Sequence, residues 1–399
     1  MKRFFFIIAA LMMCLTSAEA QSATATKKQR NNNLPVGVNL SLWRGVSTQR
    51  TDTVGSTALN IGLFSVMNRL NGLGVNILAG VTQNGANGVQ VAGIANIVGG
   101  SMSGVQVSGI TNINGDNMTG ISVTGLFGLS GRNAYGVMFS GLTNITGDNS
   151  RGLMAAGLVN IGAGRSTGVE LAGLANINAA HHTGLQLAGL MNIAGDTLRG
   201  IQASALLNVA AKEMTGAQIG MMNIAVHARG LQVGLVNYYS TGLDGFQLGL
   251  INANPNTQIE FMATAGTSTL LNAGLRFRNR LYYTILSLGY DYHKIDQTNF
   301  TATYRAGLRV PVWGNLALSG DGGVQHVETF HRGRNGQPGH LFSLQARLNA
   351  EYQINSVLGV MLTGGYEHTR DYHGHRYDNG LFMEAGTYIR LGSFGGGRN

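Results

Sequence analysis

The sequence predicts an all-β protein in two parts: a glycine-rich β-solenoid built on a 16-residue repeat, then an antiparallel, barrel-like domain. Three observations predict it. Gly88, Gly104, Gly120, Gly136, Gly152, Gly168, Gly184, Gly200 and Gly216 stand 16 residues apart. An Asn follows eight positions later at Asn96, Asn112, Asn144, Asn160, Asn176, Asn192 and Asn208, with Gly128 interrupting the series. Beyond Asn254-Pro255 the composition turns aromatic, with 18 of the 29 Phe, Trp and Tyr residues lying between Phe261 and Phe394. A fixed period marks a unit that cannot bury its apolar face alone and is stacked on copies of itself.

The elements follow in chain order. Lys2 and Arg3 precede the apolar run Phe4 to Leu15, and Ala18-Glu19-Ala20 offers a small-x-small cleavage pattern, so residues 1–20 are expected to be a secretory signal peptide. The one cysteine, Cys14, falls inside it, preceded by Met13 where a lipoprotein would need a small residue. Cleavage after Ala20 would leave no thiol chemistry. Residues 21–35 are polar and read as a flexible linker.

The repeat array spans 36–254. Its first copies, Val36 to Leu42, Leu59 to Val66 and Leu73 to Val81, are irregular, as suits the cap of an array. In a regular unit the apolar residues fall two apart, as Val89 and Val91 do, which is strand periodicity. Glycines at both ends of the short strand are expected to supply the corners. The Asn is expected to be a left-handed turn residue whose amide stacks on its copy in the next coil. At about 4.7 Å per coil, eleven repeats would make a rod of about 50 Å. After Gly216 the unit shortens, and Gly216, Gly230 and Gly245 have Asn223, Asn237 and Asn252 seven positions on. One large transmembrane β-barrel is the alternative, because strands of about ten residues also fit this interval. Against it, Gly88 to Val236 holds only Phe127, Tyr135 and Phe139 as aromatics, and every connection has one length.

Residues 255–399 alternate over about eight strands, at 258–266, 269–278, 281–292, 299–310, 316–327, 340–354, 358–369 and 380–391. Short connections (Asn279-Arg280, Trp313-Gly314-Asn315, Asn355-Ser356) alternate with long polar ones (Lys294 to Thr298, Glu328 to Gly339, Arg370 to Asn379), the pattern of an outer-membrane barrel. The last strand, Glu384-Ala385-Gly386-Thr387-Tyr388-Ile389-Arg390-Leu391, is similar to the recognition signal of barrel-assembly machinery.

The units Gly-Leu-Gln-Leu-Ala-Gly-Leu-Met-Asn-Ile and Gly-Leu-Gln-Val-Gly-Leu-Val-Asn resemble the bacterial surface-repeat-containing proteins of Gram-negative envelopes, which carry tandem Gly-x-Gln-x-Gly-Leu-x-Asn units after a signal peptide. The resemblance covers about Gly72 to Asn252. It implies residence at the outer membrane or cell surface and says little about activity.

Chemistry is sparse. Only 11% of the 399 residues are charged, and the net charge of +9 comes from scattered Lys and Arg with no basic block, so no nucleic-acid partner is expected. His368, His373 and His375 with Asp371, and His326, His331 and His340, lie in or beside predicted long loops and read as exposed polar residues, so no metal ligands are assigned. His181-His182 reads as a solvated corner. Gly115-Asp116-Asn117, Gly147-Asp148-Asn149 and Gly195-Asp196 lack the nonapeptide of calcium-binding solenoids and read as Asx turns. The few array acids (Asp116, Asp148, Glu170, Asp196, Glu213) do not suggest a carbohydrate-active enzyme. No catalytic residue and no cofactor are therefore expected. The expected function is a non-enzymatic outer-membrane or cell-surface protein with a structural or adhesive role, meeting outer-membrane lipid and a surface polysaccharide or host ligand. A pore or transporter is the alternative.

Overall fold

The computed structural model describes residues 35–43, 45–49, 55–291, 299–329 and 340–395. The expected signal peptide with Cys14, most of the linker, His331 and the connections 292–298 and 330–339 lie outside the described residues.

Each regular repeat is one coil of a parallel β-solenoid with two strands, for example Ser150–Ala156 and Val159–Gly162. Each strand pairs in parallel with its copy 16 residues on, so Gly152 meets Gly168, Met154 meets Glu170 and Asn160 meets Asn176. An up-and-down barrel pairs successive strands antiparallel, so this register excludes one large barrel for the array. After Asn208 the offset drops to 15 or 14, changing at register shifts between Ala210 and Glu213, where a residue is lost, and between Ala225 and His227, where one is regained.

The coils bury polar columns beside apolar clusters such as Leu198 with Met214, and leave many apolar residues outside. Asn160 is 1% exposed, whereas Leu158 and Ile161 on either side are 39% and 37% exposed. The amides form the expected ladder: Asn144 Nδ2 donates to Asn160 Oδ1 (3.0 Å), Asn160 to Asn176 (2.8 Å), and Asn176 to Asn192 (2.9 Å). Each amide also donates to a backbone carbonyl of the next coil, as Asn160 does to Leu171 O at 2.8 Å. A second column runs parallel, with Gln202 donating to Gln186 (2.7 Å) and Gln218 to Gln202 (2.9 Å). In the middle coils Met138 and Met154 take the Gln position and join Met118 and Ala134 in a small apolar cluster.

The Asn residues sit inside the short strands and not in left-handed turns, because only an inward strand position puts identical amides one coil apart. The two glycines of a unit differ in role. Gly152 bends the long strand at φ +128°, while a Cβ on Gly157 would lie 2.0 Å from the carbonyl oxygen of Gly141 in the coil below.

The C-terminal part is a closed eight-stranded antiparallel barrel: Gln258–Gly266, Leu271–Arg278, Tyr282–Asp291, Asn299–Trp313, Leu316–Thr329, His340–Gln353, Leu358–Asp371 and Arg376–Ser393. The first strand closes on the last, with Met262 opposite Tyr388. The last strand begins at Arg376, earlier than the polar composition of 376–379 suggests. The turn before it is tight: Asp371 Oδ1 accepts the amides of His373 and His375 (2.9 and 2.8 Å), and Gly374 adopts φ +93°.

Candidate functional site

Strand alternation sorts the barrel side chains in two. Outward lie Phe261, Leu288, Phe300, Leu308, Leu318, Leu348, Leu362 and Leu381, all exposed. Inward lie Arg276, Arg305, Arg347, Glu260, Glu351 and Glu384, all buried. Arg276, 1% exposed, donates to Glu260 (2.6 Å) and Glu351 (2.9 Å), and its guanidinium stacks on the Tyr388 ring at 4.6 Å. Arg309 adds a second donor to Glu351 at 3.0 Å. Midway, Asp321 accepts from Tyr283 and Asn349, both at 2.8 Å. Towards the other end Arg347 donates to Glu384 at 2.5 Å and Ser268 to Glu367 at 2.7 Å. These ion pairs and hydrogen bonds fill the lumen from wall to wall, as an eight-stranded barrel permits.

The end of the barrel with the short turns is joined to the last solenoid coil. Asn279 Nδ2 donates to Asn252 O (2.8 Å), and its Oδ1 accepts from Asn254 Nδ2 (2.7 Å). Tyr282 OH donates to Gln247 Oε1 (2.9 Å), and Tyr304 OH to Gly249 O (2.8 Å). Gln247 ends the Gln column, so the solenoid's interior ladder runs directly into the barrel rim.

Among the described residues the solenoid interior holds one titratable pair. Glu170 occupies the Gln column and accepts from Gln186 (2.9 Å), Asn178 (2.8 Å) and Ser166. His182 Nδ1 lies 3.8 Å from it. His182 is fully buried at the start of strand His182–Ala188, correcting the solvated-corner reading; His181 alone faces out, 3.5 Å from Asp196. Burial pushes the His182 imidazole below its ordinary range, with the Glu170 carboxylate pulling weakly the other way. The solenoid exterior carries apolar columns, and a shallow groove of about 690 Å³ crosses the long strands between Phe139, Ala155, Leu171, Leu187, Ala203 and Ile219.

Of the histidines in and beside the long connections, His326 and His340 stand on strands and come together, with Glu328 between them: Glu328 Oε2 lies 3.2 Å from His326 Nε2 and 2.7 Å from His340 Nδ1. His368 meets Arg370 and His375 meets Asp371, apart from that trio. The trio could have been found from its spacing, since 326 and 328 share a strand face and a ten-residue connection puts His340 opposite Glu328.

No family model matches the chain, and no curated protein matches it. Among solved structures, a de novo designed transmembrane β-barrel is similar at 10% identity and TM-score 0.24, over 34% of this chain and 96% of that one. The crystal structure of neisserial surface protein A is similar at 11% identity and TM-score 0.23, over 34% of this chain and 95% of that one. Scores this low carry no functional argument, and the barrel stands on its own strand pairing.

Proposed function

We propose that this chain is a non-enzymatic outer-membrane protein whose barrel anchors the β-solenoid on the periplasmic side as a structural and binding scaffold. One observation carries the reading: the solenoid is joined to the short-turn end of a barrel that is apolar outside and ion-paired inside. Membrane barrels present an apolar band to lipid and keep their short turns in the periplasm. In that topology the connections 292–298 and 330–339 face outward and the repeats face inward. Adhesion through the repeats would need the opposite orientation. The filled lumen argues against the pore reading, because an aqueous path would require breaking buried pairs such as Arg276 with Glu260 and Glu351. The apolar columns of the solenoid support a binding role, since contiguous exposed apolar surface marks contact sites.

Cell fractionation and gel migration test the membrane assignment. The protein is expected in the outer-membrane fraction, and unheated samples should migrate differently from boiled ones. Recovery as a soluble periplasmic species, with migration indifferent to heating, would overturn it.

A further inference from the structure

We propose that His326, Glu328 and His340 form a transition-metal site of the zinc class at the barrel rim opposite the solenoid. Glu328 and His340 are direct partners across the fifth and sixth barrel strands, and His326 lies two residues back on the same outward face. Their ligand atoms all lie within 4.8 Å of one another. Tetrahedral zinc, bonded at about 2.0–2.1 Å, holds its ligand atoms about 3.3 Å apart. The two histidines already approach the carboxylate at 3.2 and 2.7 Å, so rotation of half-exposed side chains completes the set.

Two imidazoles and one carboxylate suit zinc, copper or nickel, whereas calcium and magnesium want oxygen ligands. Three protein ligands leave a fourth position for water, the arrangement of an open site. The surroundings favour a metallated state too. His326 Nδ1 lies 3.0 Å from the Tyr372 hydroxyl, a partner for the one proton a neutral imidazole keeps while Nε2 binds metal. Tyr372 also packs on Phe342, with ring centroids 5.5 Å apart, so the hairpin turn after the seventh strand braces the site. An ion there would tie the fifth and sixth strands together at the foot of the 330–339 connection.

The experiment uses the full chain without a histidine tag, folded in detergent and stripped with a chelator. Cobalt(II) is titrated in, read by its visible ligand-field absorption, and displaced with zinc. One equivalent is expected, with the intensity of a four-coordinate site. His326→Ala, His340→Ala and Glu328→Gln should each weaken binding at least tenfold, while the His368→Ala/His375→Ala double variant should bind like the parent. Heat-dependent migration confirms that every variant is folded. Absence of saturable cobalt or zinc binding would overturn the proposal, as would parental affinity in folded His326→Ala and His340→Ala, or loss of binding in the His368/His375 variant alone.

Discussion

Replacing Asn160 by Leu tests whether the amide ladder holds the solenoid together. Asn160 is 1% exposed and joins three coils: it accepts from Asn144 at 3.0 Å and donates to Asn176 Oδ1 and Leu171 O, both at 2.8 Å. Leucine is close in volume but can neither donate nor accept. Asn144 keeps its bond to Ala155 O at 2.9 Å, so its amide is not wholly orphaned. Asn176 Oδ1 and one lone pair of the Leu171 carbonyl lose their donor in a buried setting. At about 1–3 kcal/mol for each stranded group, offset in part by the buried methyls, the loss is about 2–4 kcal/mol. The comparison is Thr167→Leu, an outward position on the neighbouring long strand, expected to change stability by less than about 0.5 kcal/mol. Ser166 would not serve as that control, since it is buried and bonded to Ser150 at 2.9 Å. Thermal melts followed by far-ultraviolet circular dichroism decide the matter. Equal melting temperatures for the two variants would refute the ladder as a source of stability.

Two further outcomes follow from the same interior. Gly157→Ala should break the coil stack, because the added methyl would meet the Gly141 carbonyl at 2.0 Å, whereas Gly380→Ala meets nothing within 4 Å; limited proteolysis of the two should show nicking of the array only in the first. Burial lowers the His182 pKa from 6.5, so the unfolded chain takes up a proton there before the folded chain does. Solenoid stability is therefore full above about pH 6.5 and falls as pH drops toward the folded-state value, and His182→Ser, which matches Ser166 in the preceding coil, should flatten that fall. A parent melting temperature that rises on acidification to pH 5.5, or the same fall in the variant, would contradict this.

Much of the architecture was legible because periodicity and turn chemistry are local. The 16-residue spacing of Gly152 and Gly168 became a coil register, the Asn series became a ladder, and the eight C-terminal runs became strands within a few residues of their expected ends. What escaped was which side faces in. Alternation with period two reads the same from either face, so nothing local places Asn160 inside and Ile161 outside. Inside a stack of like coils a buried amide finds its copy one coil away, which meets the need of buried polar groups for partners; Asn96 Oδ1 and Asn144 Oδ1, opposite Gly80 and Gly128, go without one. His182 escaped for a related reason. A His-His pair looks like a polar corner, yet the second residue falls on an inward strand position beside Glu170. The rim trio and the barrel–solenoid joint depend on register between distant strands, and Asn279 against Asn252 has no local sequence signature.

The orientation of the solenoid against the membrane is the central claim, and single-cysteine labelling tests it most directly. Cys14 is the one cysteine of the chain and lies in the expected signal peptide, so introduced thiols would stand alone. Thr167→Cys places one on the outward face of the solenoid, and His373→Cys places one in the exposed turn at the opposite end of the barrel. Intact cells are treated with a membrane-impermeant maleimide, before and after the outer membrane is permeabilised. The account predicts that His373→Cys reacts on intact cells and Thr167→Cys reacts only after permeabilisation. Labelling of Thr167→Cys on intact cells would place the repeats outside and contradict it.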